Sequence, residues 1–314
     1  MEITFQELEM YKDFDELASD VLDLAKEILP DQLLYLSSIR GNRQLILKHS
    51  DHETSIPIVE NMMLSISDSL CSGVDFDKKQ PLIYEDTRQD SRLDHLRAGI
   101  EGANIRSYLG IPISLVNGEK FGTLCAVNDE VSRFDDKSIN LLQRIVRMFS
   151  YYLNLERFAY RDSLTDLYNR RYLTRFYNEY AVEGGAMFFL DLDGFKKVND
   201  VHGHDAGDLV LKKVASKIQL FVNERNDKAF AVRLGGDEFL IHFPDGASEE
   251  EMSHDAEQIL DSLSTWEEGY QLSTSIGIVT YPPNGKIDLD VLLKNADTAL
   301  YRAKTAGKNT YKIF

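Results

Sequence analysis

The chain has 314 residues, of which 43% are hydrophobic and 28% charged, and its formal net charge is −17. This composition predicts a soluble globular chain of about two domains, and the acidic balance disfavours nucleic-acid or anionic-membrane partners. No apolar run approaches the roughly 18 residues of a membrane helix, and the acidic start is not typical of a signal peptide. With only two cysteines, Cys71 and Cys125, we expect a cytoplasmic protein whose thiols are buried and reduced.

The first part of the sequence predicts antiparallel hairpins. Two apolar runs flank Gly41-Asn42, and two more flank Val116-Asn117-Gly118. Asn and Gly at the centre of such a pair are a strong signal for a tight β-turn. A small α+β domain that combines an antiparallel sheet with helices is therefore expected here.

A long helix is predicted to follow, because residues 136 to about 160 contain no Gly or Pro. Two neighbouring apolar stripes run along it at helical spacing. The first comprises Ile139, Leu142, Val146, Phe149 and Leu153, and the second Leu141, Ile145, Met148, Tyr152, Leu155 and Ala159. One stripe would pack on the helix's own domain and the other on a partner helix, or both would form one broad face on a single core.

The last part of the sequence mixes strands and helices without steady βαβ alternation, so a doubly wound sheet is not expected. Strands are predicted at 186–193, on both sides of Gly235-Gly236, at 273–281 and at 310–314, and helices near 209–221, 249–264 and 289–306.

Two acidic pairs in this part suggest a metal site. Asp191 and Asp193 alternate onto one face of a buried strand, and Asp237 and Glu238 follow the Gly-Gly turn. If the strand lies beside the hairpin, Asp191 and Asp237 approach to about 5 Å, which is costly unless a cation lies between them. Oxygen ligands at a partly open site suit Mg²⁺ or Mn²⁺ with a nucleoside triphosphate. The alternative is a solvated strand end that carries acids without a ligand.

Three lysines support an anionic ligand. Lys196 lies where a helix is predicted to begin, and backbone N–H groups there attract phosphate. Lys304 and Lys308 lie four residues apart near the end of the last predicted helix and are expected to share a face. In the alternative reading, these two lysines only complement the helix dipole.

Six segments resemble, in order and spacing, the GGDEF-domain diguanylate cyclases, a bacterial signalling family. They are DSLTDLYNRR (162–171), DLDGFKKVND (191–200), HGHDAGD (202–208), RLGGDEF (233–239), STSIGIV (273–279) and ADTALYRAKTAGKN (296–309). Less specifically, SYLGIPISLVNGEKFGTLCAVND and YEDTRQDSRLD are similar to GAF domains. The resemblance implies a GAF-like sensor domain (1–135), a connecting helix (136–161) and a GGDEF catalytic domain (162–314) whose fold resembles the palm of nucleotidyl cyclases and polymerases.

The family joins two GTP molecules into cyclic di-GMP and releases two pyrophosphates. The resemblance implies that Asp191, Asp237 and Glu238 are catalytic, and that these three with the carbonyl of Leu192 hold Mg²⁺ or Mn²⁺. The residues implied in GTP binding are Gly194, Phe195, Lys196, Asn199, Asp208, Gly235, Gly236, Lys304 and Lys308, with Asn199 and Asp208 recognising guanine. The family usually has Arg where this chain has Lys308, so a bidentate contact is lost there.

The resemblance also implies partners and alternatives. Because each domain holds one GTP, a homodimer is expected, with the long helix setting the distance between its catalytic domains. The GAF half is expected to regulate the activity, and whether it binds a small molecule stays open. Two alternatives stay open: a catalytically inactive receptor for GTP or cyclic di-GMP, and a GAF-ligand sensor that acts by protein contact.

Product inhibition is not expected. Many family members carry Arg-x-x-Asp, separated by five residues from the Gly-Gly pair, as a site that binds product. Here these positions are Asn226 and Ala229, and the nearby Arg225 and Asp227 are out of register.

Overall fold

The computed structural model describes residues 8, 11, 13–51, 54–180, 184–225, 229–244, 248–266, 269–283 and 287–314. Their contacts divide the chain into two compact units, residues 1–156 and 157–314. Each unit contains one six-stranded sheet with helices, which confirms the predicted α+β class. The three predicted domain ranges stay a prediction. No described helix is long and apolar enough to span a membrane.

The first unit is built on an antiparallel sheet. Its elements are helix α1 (Phe14–Ile28), strands β1 (Leu33–Arg40), β2 (Arg43–His49), β3 (Met63–Ser65) and β4 (Leu82–Tyr84), helix α2 (Arg97–Gly102), strands β5 (Ser107–Ser114) and β6 (Lys120–Asn128), and most of helix α3 (Asp136–Tyr160). Short 3₁₀ helices span Ile66–Asp68, Leu70–Gly73 and Ser91–Leu96. The strand order is β3-β2-β1-β6-β5-β4, and both predicted hairpins are confirmed.

Helix α3 has the predicted length but a different exposed face. Four residues of its first stripe, Leu142, Val146, Phe149 and Leu153, are buried, and Ile139 is partly exposed. The ring of Phe149 packs 6.1 Å from that of Phe14 and 6.0 Å from that of Phe121. The exposed apolar residues are Leu141, Met148, Tyr151, Leu155 and Phe158. At about 100° per residue this set lies opposite the buried stripe, whereas the sequence predicted an adjacent one. Ile145, Tyr152 and Ala159 are only partly exposed.

The second unit contains a mixed sheet. Its elements are β7 (Tyr168–Asn169), α4 (Arg170–Tyr180), β8 (Gly185–Asp193), α5 (Phe195–His202), α6 (His204–Arg225), β9 (Phe230–Gly235), β10 (Glu238–Pro244), α7 (Glu249–Ser264), β11 (Ser273–Tyr281), α8 (Leu289–Thr305) and β12 (Tyr311–Ile313). The strand order is β12-β11-β8-β10-β9-β7, and β8 is antiparallel to both of its neighbours.

Strand β8 fixes the position of the acidic residues. Phe188 and Leu190 are fully buried, and they pack with Val214 of α6 and Phe239 of β10 in one core. A strand buried on both faces has a strongly specified register. The carboxyl end of β8 is therefore held rigidly beside the turn between β9 and β10.

Candidate active site

The turn between β9 and β10 consists of Gly236 and Asp237, and Gly235 before it is the last residue of β9. Gly236 has φ +53°, in the left-handed region that glycine enters without steric cost. A Cβ on either glycine would have no described atom within 4 Å. The outer side of the turn is therefore open to a ligand.

Arg233 holds this turn in place. Its Nε and Nη2 donate to the carbonyl of Gly236 at 3.1 and 2.9 Å. Its Nη1 donates to Asp162 Oδ1 at 2.9 Å, and Asp162 also accepts from the backbone N–H of Thr165 at 2.9 Å. The guanidinium thus links the turn to the start of the second unit. The only sequence signal for this role is the position of Arg233, two residues before the glycines.

The register of the acids differs by one residue from the prediction. Asp191 lies directly across from Glu238 rather than Asp237, because the turn includes Asp237 and pairing begins at Glu238. Asp237 lies at the adjacent position, and its carbonyl accepts from the N–H of Leu192 at 3.4 Å. The three carboxylates still meet at one end of β8.

The electrostatics of these acids shows a shortage of positive charge. Burial raises the pKa of Asp237, and the negative charge of Asp191 raises it further. Burial, Asp191 and Asp237 raise the pKa of Glu238 in the same way. Lys304 Nζ lies 2.7 Å from Asp191 Oδ2, where it offsets part of the repulsion. Additional positive charge at this position would stabilise the ionised form of all three acids.

Asp193 has a different role from Asp191, with which the sequence analysis paired it. Its buried carboxylate accepts from Ser275 Oγ at 2.8 Å and from Ser273 Oγ at 3.3 Å. It also accepts from the backbone N–H of Asn309 at 3.3 Å. Asp193 therefore anchors the segment that carries Lys308.

Lys308 does not share a helical face with Lys304, in contrast to the prediction. Helix α8 ends at Thr305, Gly307 follows with φ +120°, and Lys308 itself has φ +65°. A glycine just past a helix terminates it in this way. The loop after α8, rather than the helix, brings Lys308 to the same cleft as Lys304.

A cleft of about 560 Å³ brings eight of the predicted site residues together. These are Asp191, Leu192, Gly194, Phe195, Lys196, Asp237, Lys304 and Lys308. Asp193, Lys197 and Asp200 complete its lining. The predicted site residues outside this lining are Glu238, Asn199, Asp208, Gly235 and Gly236.

Helix α5 begins at the edge of the cleft. Gly194 caps it with φ +88°, and a Cβ there would lie 2.8 Å from the carbonyl of Gln271. A side chain at this position would therefore clash with the backbone. The first N–H groups of α5 and the exposed Lys196 provide positive potential for an anion.

The two predicted guanine-recognising residues lie at the corner between α5 and α6. Asn199 is half-buried on α5, and Asp208 is exposed on α6. A Cβ on Gly207 would lie only 1.9 Å from Asn199 Oδ1, so the amide of Asn199 rests against that glycine. The contact places Asn199 next to the turn of α6 that carries Asp208, and their role in base recognition stays a prediction.

The predicted lack of a product-binding site is only partly covered by the structure. Asn226 and Asp227 lie outside the described residues. Ala229 is buried at the start of β9, and Arg225 forms an ion pair of 2.9 Å with the buried carboxylate of Asp255 on α7. Arg225 thus has a structural partner, and the lack of the site stays a prediction.

The residues present fit a metal ion that shares its ligands with a nucleotide. Among the described residues, no group of three or more His, Cys, Asp or Glu side chains is arranged to hold a metal by itself. The cleft instead offers the carboxylates of Asp191 and Asp237 and the carbonyl of Leu192. Mg²⁺ typically binds one or two carboxylates and completes its shell with water and phosphate oxygens.

Both halves of the chain match known domain families. Residues 159–310 match the family described as diguanylate cyclase, GGDEF domain, and residues 12–150 match the GAF domain. The chain is 26% identical to diguanylate cyclase DgcP of Escherichia coli K12 over 97% of this chain and 94% of that protein. It is 37% identical to the bifunctional diguanylate cyclase/cyclic di-GMP phosphodiesterase MucR of Pseudomonas aeruginosa, over 50% of this chain and 24% of that protein.

Among solved structures, the coiled coil and GGDEF domain of DgcB from Caulobacter crescentus in complex with c-di-GMP is 28% identical. The aligned region covers 55% of this chain and 94% of the DgcB chain, with a TM-score of 0.48. The chain thus spans nearly all of DgcP but about a quarter of MucR. The two family matches confirm the resemblance: residues 159–310 are a GGDEF domain of the diguanylate cyclase family, and residues 12–150 are a GAF domain.

Proposed function

We propose that this protein is a diguanylate cyclase that joins two GTP molecules into cyclic di-GMP and releases two pyrophosphates. The observation that carries the proposal is the cleft of about 560 Å³ in which Asp191 and Asp237 lie with Lys196, Lys304 and Lys308. The carboxylates are stabilised by a cation and the lysines by an anion, and a metal-bound triphosphate supplies both charges.

In this proposal Asp191, Asp237, Glu238 and the Leu192 carbonyl hold Mg²⁺ or Mn²⁺. When bound, the metal stabilises charge on the α-phosphate and lowers the pKa of the attacking 3′-hydroxyl. Lys304 Nζ lies 2.7 Å from Asp191 Oδ2, and with a metal held at Asp191 this ammonium would contact the triphosphate instead. Glu238 would accept a proton from the hydroxyl.

The remaining cleft residues bind and orient the nucleotide. The N–H groups at the start of α5, with Lys196 and Lys308, neutralise phosphate oxygens. Asp208 accepts from guanine N1–H and N2–H, and Asn199 pairs with another edge. Adenine lacks these donors, and a hydrogen bond to a charged group is worth about 1.5–3 kcal/mol, so GTP is preferred by roughly tenfold or more.

Each catalytic domain binds one GTP, and the product is two-fold symmetric, so a homodimer would bring the second GTP to the first. The exposed apolar residues of α3 offer a surface for this dimer, here called the α3 seam. Leu141, Met148 and Leu155 repeat every seven residues, and Tyr151 lies at the intermediate position typical of coiled coils. Met148 and Leu155 are 71% and 69% exposed. Phe149 is excluded from the seam, because it is buried within its own unit.

The GAF domain is proposed to regulate this activity by binding a small molecule. Fold alone does not identify that ligand. Mass spectrometry of molecules that remain bound after purification under native conditions would reveal its chemical class, and a mass spectrum containing protein alone would count against a tightly held ligand.

The test of the main proposal is incubation of purified protein with GTP and Mg²⁺, with products identified by chromatography and mass spectrometry. Cyclic di-GMP and two pyrophosphates per product molecule are expected, and little product from ATP. Binding of GTP without turnover would favour the inactive receptor instead. Turnover of ATP at a comparable rate would contradict the guanine assignment of Asn199 and Asp208.

A further inference from the structure

The GAF domain contains a pair of cysteines that the proposed cyclase reaction does not use. Cys71 and Cys125 are both buried and free, and their Sγ atoms lie 3.6 Å apart. Cys71 belongs to the 3₁₀ helix Leu70–Gly73, and Cys125 belongs to the central strand β6. The fold thus brings together two thiols that are 54 positions apart in the sequence.

Cys71 belongs to the apolar core of the first unit, but its sulfur has several polar neighbours. Gln44 Nε2 donates to Cys71 Sγ at 3.0 Å, and Ser69 Oγ donates to Gln44 Oε1 at 2.5 Å, which fixes the orientation of the amide. The hydroxyls of Tyr108 and Thr123 lie 3.2 and 3.4 Å from the same sulfur. A cysteine that serves only as a small apolar residue needs no such set of donors.

Thr123 and Tyr108 also contact Cys125 Sγ, at 3.1 and 3.6 Å, but the net effect of the surroundings differs between the two sulfurs. Hydrogen bonds from Cys125, Thr123 and Tyr108 lower the pKa of Cys71 to about 6, against the opposing effect of burial. Burial, the Cys71 hydrogen bond and its charge raise the pKa of Cys125. Cys71 is therefore the sulfur of the pair that favours the thiolate form and Cys125 the one that favours the thiol, as in a reactive and a resolving cysteine.

Cys71 lies directly beneath the surface. Its side chain is 2% exposed, but the next two residues, Ser72 and Gly73, are exposed. A single turn of 3₁₀ helix has few hydrogen bonds of its own, so it opens at lower cost than a sheet strand. Opening of this turn would give small solutes access to Cys71.

We propose that Cys71 and Cys125 form a peroxide-reactive dithiol, a modification site within the GAF domain. The Cys71 thiolate attacks one oxygen of hydrogen peroxide and breaks the O–O bond; sulfenic acid forms, and the hydroxide released takes up a proton to become water. The Cys125 sulfur then attacks Cys71, its proton is lost, and the sulfenic hydroxyl leaves as water. Two thiols are oxidised to one disulfide, and one peroxide is reduced to two waters.

The disulfide would tie the 3₁₀ helix Leu70–Gly73 to strand β6. This inference does not depend on the proposed cyclase activity, because the reaction takes place entirely in the first unit. It predicts a covalent state of the protein that can be measured without any nucleotide.

The experiment uses the full chain, reduced, freed of reductant and titrated with hydrogen peroxide at pH 7. Non-reducing proteolysis with mass spectrometry should find the Cys71 and Cys125 peptides linked and two hydrogens lighter, at about one disulfide per equivalent of peroxide. Both thiols free after one equivalent, or sulfonic acid without the linked peptide, would overturn the proposal.

Two matched variants assign the roles of the cysteines. Cys125→Ser should accumulate a sulfenic acid at Cys71, trapped by a 1,3-dione reagent, whereas Cys71→Ser should react at least tenfold more slowly. Equal reactivity of the two variants would overturn the assignment of Cys71 as the nucleophile. Circular dichroism of each variant confirms folding, and the wild-type peptide map tests the linkage even if a variant fails to fold.

Discussion

Replacing Gly207 with alanine tests whether Asn199 recognises the base. Gly207 is buried in the first turn of α6, and a Cβ there would lie 1.9 Å from Asn199 Oδ1 and 3.3 Å from Phe195 Cζ. The amide of Asn199 is the end of a side chain, so it can rotate away while the backbone stays in place. The substitution therefore moves the amide without changing its chemistry.

The expected effects on stability and on selectivity have opposite signs. Alanine is favoured over glycine within a helix by about 0.5–1 kcal/mol, so Gly207→Ala should unfold at the same or a higher temperature. Moving the amide removes one hydrogen bond to guanine, worth about 0.5–1.5 kcal/mol. The ratio of kcat/KM for GTP over ATP should therefore fall about two- to tenfold.

The assay compares steady-state turnover of GTP and ATP with thermal unfolding of the same protein. Gly99→Ala is the matched control, because a Cβ on Gly99 would have no described atom within 4 Å and the position lies in the other unit. Unchanged selectivity in a Gly207→Ala protein of normal stability would refute the role of Asn199 in base recognition. A change of equal size in Gly99→Ala would refute the local mechanism.

Three further predictions follow from the site and the long helix. Burial and a neighbouring carboxylate raise the pKa of Asp237, so protonated Asp237 stabilises the metal-free fold below its unfolded-state pKa, and this stability is lost as pH rises through the folded-state pKa. Asp237→Asn should therefore raise the unfolding temperature more at pH 7 than at pH 4. An equal rise at both pH values would contradict the raised pKa. Arg233→Lys keeps the positive charge but cannot hydrogen-bond Asp162 and the Gly236 carbonyl at the same time as the guanidinium does, so turnover should fall about tenfold or more. Turnover equal to that of wild type would show that the turn does not depend on Arg233. Met148→Glu should weaken the self-association measured by analytical ultracentrifugation, and Leu24→Glu is the control, because it places the same charge at another exposed apolar residue. Unchanged self-association of Met148→Glu would exclude a dimer interface on α3.

The secondary structure could be predicted well where apolar residues are continuous or periodic. Strand β11 and helix α3 begin and end where the sequence predicts, because a buried strand and a long amphipathic helix leave a clear pattern. The presence of acids at the end of β8 was also predictable from their position after an apolar run.

The details that needed the structure depend on turns and on tertiary packing. The partner of Asp191 is Glu238 because the turn includes Asp237, and spacing alone does not determine how many residues a turn uses. Gly307 was a readable signal for the end of α8, and overlooking it misplaced Lys308. The buried side of α3 faces the rings of Phe14 and Phe121, which lie far away in the sequence. No local pattern predicts the approach of Cys71 to Cys125.

The most direct test of the central claim is the rate of cyclic di-GMP formation from GTP and Mg²⁺ by wild type, Asp237→Asn and Asp205→Asn. Asp205 is an exposed carboxylate on α6 that does not line the cleft, so its substitution controls for the change of charge. Metal stabilisation of a transition state is worth several kcal/mol, so Asp237→Asn should lose at least about a hundredfold in rate while remaining folded, and Asp205→Asn should match wild type. Near-normal turnover by Asp237→Asn, or no product from folded wild type, would contradict the account.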